Sequence, residues 1–235
     1  MNEYILMKDS KILHSEYYEV SERNIEGFKS QFFRFMPKNK DISILDIGCG
    51  AGQLLYVLRS EGYTNIFGID TGKEQVELTK QKGIQSEQIT DLEAWLSSHR
   101  DEFDVITLAA TIEHFPKDKI FDYLNAMKSA LKKGGILIVT TGNMSCLTGL
   151  FIRYVDMTHA IGFTDRALIR LGMLVGFSDV KVYGERLPLK ARPKYLVWII
   201  LRRLHFSILK FLMFLEKGTD APKIVSRDLI LIARK

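Results

Sequence analysis

The chain has 235 residues, 46% hydrophobic and 26% charged, and its 33 Lys+Arg against 28 Asp+Glu give a formal net charge of +5. That length and mixture support one globular core and exclude intrinsic disorder. Two cysteines, Cys49 and Cys146, are too few for a disulfide framework and point to a reducing compartment.

The opening MNEYILMKDSK mixes both charge signs into a short apolar run without a small-residue cleavage site, so no signal peptide is expected. The charge is uneven. Residues 1–179 hold 20 Lys+Arg and 24 Asp+Glu, a net of −4, whereas residues 180–235 hold 13 and 4, a net of +9. An acidic-leaning body with a cationic tail suggests a partner for the tail.

From His14 to Met36, aromatic and aliphatic residues recur at three- and four-residue spacings, predicting a helix closed by Pro37. A strand follows at Ile42–Ile47, then a Gly-rich turn and a helix over Gln53–Glu61 stopped by Gly62. The alternation continues with a strand Asn65–Asp70, a helix Lys73–Lys82, a weak strand Ile84–Ile89, a short helix Leu92–His99 and a buried strand Phe103–Ala109. A helix is predicted over Lys117–Leu131, a strand over Ile136–Thr140, a loop over 141–163 and a helix over Thr164–Val175. Two further strands, Val180–Gly184 and Asp228–Ala233, flank an odd apolar, basic element at Lys194–Lys217. Strands alternating with helices imply parallel βαβ units and a doubly wound α/β sheet.

In Ile44-Leu45-Asp46-Ile47-Gly48-Cys49-Gly50-Ala51-Gly52, three glycines stand at alternate positions after a buried strand. They allow a tight turn and the close approach of a ligand to the following helix N-terminus. The dinucleotide pattern is not completed, because its last position is Gln53 and Asp46 precedes the first glycine. A carboxylate there repels a diphosphate but attracts a ligand carrying an ammonium and a sulfonium. Asp70 ends the second strand, where an acidic residue can accept bonds from ribose hydroxyls, and Asp91 follows the third, where it could face an adenine amino group.

With ILDIGCGAG at 44–52, Asp70, FDVITLAATIEHF at 103–115, LKKGGILIV at 131–139 and FTDRALIRLGMLVGF at 163–177, the chain resembles the class I S-adenosylmethionine-dependent methyltransferases. The resemblance covers residues 14–184 and implies a Rossmann-like, mostly parallel seven-stranded sheet. It implies S-adenosyl-L-methionine as cofactor, with Asp46, Gly48, Gly50 and Gly52 on its methionine side, Asp70 at the ribose, Asp91 near the adenine, and Ala109, Ala110 and Thr111 as the floor.

Methyl transfer to a hydroxyl needs an aligned acceptor and a group to take its proton, a task suited to histidine. Of the five histidines, His114 and His159 are the catalytic candidates. Glu113-His114 is similar to a pair in the quinone-biosynthesis O-methyltransferases, where a Glu three residues earlier helps to bind a divalent metal. Ala110 stands there, so no metal is expected. Asp156-Met157-Thr158-His159 through Thr164 resembles a DxTHxxxFT segment of methyltransferases of cell-surface polysaccharide and lipopolysaccharide biosynthesis, with Asp156 expected to orient His159 and Thr158 to fix the loop. His14, Tyr17 and Tyr18 are candidates for a lid; His99 and His205 read as surface or interface residues.

Tyr195–Leu215 is long enough to span a membrane, but Arg202 and Arg203 near its middle oppose that. On a helical wheel, Arg202, Arg203, Lys210 and Lys217 share one arc of roughly 100°, opposite Val197, Ile200, Leu201, Leu204, Ile208, Phe211, Leu212 and Leu215. Together with Tyr195, Trp198, Lys190, Arg192 and Lys194, this is the pattern of a helix lying in a membrane interface; packing on the sheet or on a second subunit is the other reading. Nucleic acid is not expected, because the aromatics side with the apolar face.

One domain is expected: an N-terminal helical cap over 1–40, a core of 41–189 and 224–235, and the amphipathic helix inserted at 190–217. The expected activity is O-methylation of a lipid-linked or cell-envelope glycan by a cytoplasmic enzyme on the inner face of the membrane. The alternative is a quinone or other small lipophile as acceptor, and a third reading is a non-catalytic cofactor-binding protein.

Overall fold

The computed structural model describes residues 20–186 and 193–235. His14, Tyr17, Tyr18, Lys190 and Arg192 lie outside the described residues, as do the side chains of Lys194 and Tyr195. Seven strands, Ile44–Ile47 (β1), Ile66–Asp70 (β2), Gln85–Gln88 (β3), Phe103–Ala109 (β4), Leu131–Gly142 (β5), Asp179–Gly184 (β6) and Asp228–Arg234 (β7), form one sheet in the order β3-β2-β1-β4-β5-β7-β6. The expected Rossmann-like architecture is thus present. β7 returns antiparallel between β5 and β6, and the other described pairings are parallel.

Strand alternation divides the core into two layers. Leu45, Ile47, Ile106, Leu108, Leu137, Val139, Leu229 and Leu231 pack in one cluster. It is covered by Leu92–Ser98 (α4), Ile120–Ala130 (α5) and Asp165–Leu174 (α7). Ile44, Val105, Ile136, Ile138, Ile230 and Ile232 face the other way, against Leu54, Leu55 and Leu58 of Gln53–Ser60 (α2). Lys73–Gln81 (α3) links β2 to β3. The N-terminal segment, Glu22–Phe28 (α1) running into a π-helical stretch Lys29–Phe33, belongs to this second layer through the fully buried Phe32.

Several boundaries shift by a few residues from the sequence reading, and two of the differences have a clear structural cause. The helix predicted to Leu131 ends at Ala130, because Leu131 turns extended and pairs with Phe103 across a register shift. Lys132 then reaches back to Asp104 at 2.7 Å. The predicted loop 141–163 contains a six-residue helix, Gly149–Tyr154 (α6), seated where a Cβ on Gly149 would meet the Met144 carbonyl oxygen at 2.6 Å. The strand order reverses between the parallel neighbours β1 and β4, with β2 and β3 on one side of them and β5, β7 and β6 on the other. Ligand sites in open α/β sheets form at the carboxyl ends of such strands.

Candidate active site

At the end of β1, the Gly48 and Cys49 N–H groups both donate to the Ile69 carbonyl, at 2.8 and 3.1 Å. Gly48, Gly50 and Gly52 all take positive φ, at 70°, 54° and 72°. Gly52 is confined further, because a Cβ there would lie 2.8 Å from the Thr79 side chain. Gly50 differs: no atom of the described residues lies within 4 Å of its would-be Cβ, so the turn is open there on their side. Thr79 Oγ1 donates to the Gly50 carbonyl (2.9 Å) and Lys82 Nζ to the Ala51 carbonyl (2.8 Å), holding the turn against α3.

Two carboxylates flank the opening. Asp46 is buried and accepts the Thr107 hydroxyl at 2.7 Å. Burial pushes its pKa up to about 7, against the Thr107 hydrogen bond and with help from the charge of Asp70. Asp70 Oδ2 accepts the Gly50 N–H and Oδ1 the Gly72 N–H, each at 2.8 Å, so one side chain bridges the Gly-rich turn and the loop after β2. Asp91 caps α4 by accepting the Ala94 N–H at 3.0 Å and is exposed. At the end of β4, Ala110 takes φ 52°, in the left-handed region, with its N–H on the Thr140 carbonyl at 3.0 Å. A strained non-glycine residue marks a constrained site. Thr111 packs under Gly48, where a Cβ would come within 2.4 Å of it.

His114 and His159 meet from separate elements, with ring centroids 4.9 Å apart at 58°. His114 closes the 3₁₀ turn Ile112–His114, and His159 lies in the loop after α6. His159 Nδ1 stands 3.0 Å from the Ile152 carbonyl, which can only accept, so Nδ1 carries the proton and Nε2 presents a lone pair. This corrects the expectation for Asp156, which instead acts on His114 through Thr158. Asp156 Oδ1 accepts the Thr158 N–H (2.8 Å) and hydroxyl (2.7 Å), and the same hydroxyl lies 2.8 Å from His114 Nδ1. Since Thr158 spends its one hydrogen on Asp156, His114 Nδ1 is the donor and its Nε2 is also left bare. Burial and the neighbouring His159 hold the His114 pKa below its ordinary value. Asp156 stays below the usual carboxylate range because the two Thr158 bonds outweigh its burial.

Glu113 does not share this surface with His114. Its side chain is buried, burial raises its pKa, and Oε2 has no hydrogen-bond partner among the described residues. Its carbonyl accepts the Ala160 and Ile161 N–H groups, and Arg153 binds the His159 and Ala160 carbonyls, so the His159 loop is held from both sides. Thr107, Thr79 and Arg153 were not singled out from the sequence. Thr107 faces Asp46 in the β1–β4 register, a placement that aligning the two strands could have supplied. His99 stacks on Trp95, and His205 is exposed on the late helix.

That helix, Pro193–Lys217 (α8), presents Val197, Ile200, Leu201, Leu204, Ile208, Phe211, Leu212 and Leu215 to solvent, so the apolar face does not pack on the sheet. Arg203, Lys210 and Lys217 are exposed as well. Arg202 is not: it pairs with the buried Glu185 at 2.5 Å and lies 4.7 Å from the Phe206 ring. The predicted cationic stripe therefore loses one member to an anchor on the body. No helix among the described residues is long and apolar enough to cross a membrane.

Residues 21–182 match the family model described as a methyltransferase domain. The chain is similar to ubiquinone biosynthesis O-methyltransferases of Escherichia coli, at 31% identity over 105 residues, and of Vibrio parahaemolyticus, at 30% over 116 residues. These alignments cover 43% and 46% of this chain and 42% and 47% of the relatives, so the chain matches less than half the length of either. In fold it is similar to a SAM-dependent methyltransferase from Archaeoglobus fulgidus (TM-score 0.69, 22% identity, 97% of this chain and 100% of that one). It is also similar to the plantazolicin methyltransferase BpumL solved with SAH (TM-score 0.60, 21% identity, 98% and 91%).

Proposed function

The chain belongs to the class I S-adenosylmethionine-dependent methyltransferases, and from that premise we propose that it methylates a hydroxyl oxygen of a lipophilic acceptor reached at a membrane surface. When bound, the cofactor supplies a methyl group on a positively charged sulfur. The residues present suit it: the open side of Gly50 leaves room against the backbone, and Asp46 and Asp70 offer negative charge beside that space. We assign Asp46, Gly48, Gly50 and Gly52 to the methionine side, Asp70 to the ribose, Asp91 to the adenine end, and Ala109, Ala110 and Thr111 to the floor.

The observation that carries the acceptor reading is the His114–His159 pair, both Nδ1–H groups engaged and both Nε2 lone pairs bare, at the carboxyl edge of the sheet. An acceptor hydroxyl must shed its proton as the new C–O bond forms, and these lone pairs are where it can go. Leu147, Leu150, Phe151, Tyr154, Val155 and Met157, beside His159 in sequence, are exposed apolar residues suited to a lipophilic acceptor. The names of the ubiquinone-biosynthesis relatives favour a phenolic quinone precursor over the lipid-linked or cell-envelope glycan. The glycan has only the 156–164 segment in its support.

Exposure of the α8 apolar face favours a bilayer interface, at the inner face of the membrane, over packing on the sheet. A second subunit on the same face is the competing use. Incubation with S-adenosylmethionine labelled at its methyl group and a lipid extract tests the activity. Label should enter an apolar product as an O-methyl ether; label only in water-soluble or N-methylated products would refute the proposal.

A further inference from the structure

We infer that His114, Asp156 and His159 form a site for one divalent transition-metal ion at the acceptor edge, an inference that rests on the acceptor reading above. One potential ligand atom from each residue lies within 4.8 Å of the other two. Three donors sharing an ion at about 2.1 Å in tetrahedral geometry stand about 3.4 Å apart, so the set must close further around an ion to ligate it. Two of the three lie on the 155–162 loop, which α6 and Arg153 hold but which is otherwise exposed around Met157 and Thr158.

Each ring has its Nδ1 hydrogen-bonded, which leaves Nε2 as the nitrogen open to an ion. A ligating imidazole presents one bare nitrogen while its other N–H is fixed by an acceptor. The Ile152 carbonyl does this for His159, and the Thr158 hydroxyl, oriented by Asp156, does it for His114. Asp156 Oδ1 takes both Thr158 donors, and Oδ2 has no partner among the described residues. Nearby, the buried Glu113 Oε2 is without a hydrogen-bond partner among the described residues.

Two imidazoles and one carboxylate select zinc, cobalt, nickel, iron(II) or manganese over calcium or magnesium, which prefer oxygen ligands. This donor set differs from the Glu113–His114 pair considered from the sequence: Glu113 turns inward and Ala110 offers no donor. Three protein ligands leave a coordination position for an acceptor hydroxyl. An ion there would acidify the hydroxyl, so with the ion bound the two imidazoles would act as its ligands in place of taking the proton, which would leave to solvent.

The test is titration of the full chain, stripped with chelator, with cobalt(II), read by its visible d–d absorption and by calorimetry. One equivalent should bind, and Asp156→Asn and His114→Gln should each weaken it at least about 10-fold while leaving S-adenosylmethionine affinity intact as the check on folding. Failure to bind cobalt(II), or binding unchanged in the His114→Gln/His159→Gln double variant, would overturn the metal site. If turnover survives chelation and still falls in His159→Ala, the ion is refuted and the hydroxyl-acceptor reading stands. If turnover is indifferent to both histidines, both are refuted.

Discussion

Thr107 donates its hydroxyl hydrogen to the buried Asp46 carboxyl at 2.7 Å, from the position directly opposite in the β1–β4 pairing. The bond partly offsets the burial that lifts Asp46 from an ordinary 3.8 to about 7. A carboxyl whose folded pKa lies above its unfolded value contributes stability fully below the unfolded pKa and loses it as pH rises through the folded one. The cofactor-free protein should therefore lose stability between about pH 4 and pH 7 on account of this group. A cationic ligand prefers the ionised form, so S-adenosylmethionine affinity should rise as pH passes through 7, by at most about tenfold per unit below it. Calorimetry at pH 6 and pH 8 checks this. Asp46→Asn should flatten the profile, and a flat wild-type profile would remove Asp46 from the cofactor's charged end.

Gly50 and Gly52 share a left-handed φ but not their surroundings. Gly52→Ala should cost about 1–3 kcal/mol of stability through backbone strain and collision with Thr79. Gly50→Ala meets no atom of the described residues and should cost only the strain, about 1–2 kcal/mol. Its loss of cofactor affinity should be out of proportion to that cost, because the new methyl enters the space assigned to the ligand. Thermal melts alongside calorimetry separate the two effects. Equal behaviour of the variants would move the cofactor away from Gly50.

Thr158 is a positioning residue. Thr158→Val removes the hydroxyl that fixes the His114 tautomer and leaves the backbone N–H on Asp156. Turnover should fall roughly 10-fold, in line with losses seen on removing an outer hydrogen-bond partner, with cofactor affinity unchanged. Thr158→Ser should restore it, and a Ser variant as slow as Val would assign Thr158 to loop packing alone.

On α8, Arg203 and Lys210 are free to face lipid headgroups, whereas Arg202 is committed to Glu185. Arg203→Glu with Lys210→Glu should weaken binding to anionic vesicles by more than about 2 kcal/mol, near 1 kcal/mol for each lost cation plus repulsion. Flotation with phosphatidylserine-containing vesicles measures this; undiminished binding would refute electrostatic docking. Phe211→Asp on the apolar face should also reduce flotation.

The sheet was legible in the sequence because its central strands are buried on both faces: Ile44–Ile47, Phe103–Ala109 and Ile136–Thr140 read as apolar runs punctuated by glycine. What escaped depends on contacts between distant segments. Nothing local marks Leu131 as the first residue of β5, since it continues the helical pattern of α5 and turns only to meet Phe103. The short α6 lacks a side-chain cap. The histidines were visible as candidates, but their pairing across 45 positions was not. The division of labour between the Ile152 carbonyl and Asp156 follows from how the 149–162 segment folds back. Arg202 looked like part of a free stripe until Glu185, 17 residues earlier, reached it.

The most direct test of the account is single-turnover methyl transfer to the labelled lipid product by wild type, His159→Ala and His114→Ala, with cofactor affinity measured on the same preparations. The account predicts an O-methyl product from wild type, a loss of about 100-fold or more in rate for His159→Ala, and cofactor affinity within about twofold of wild type. Wild-type rates in both variants would contradict it.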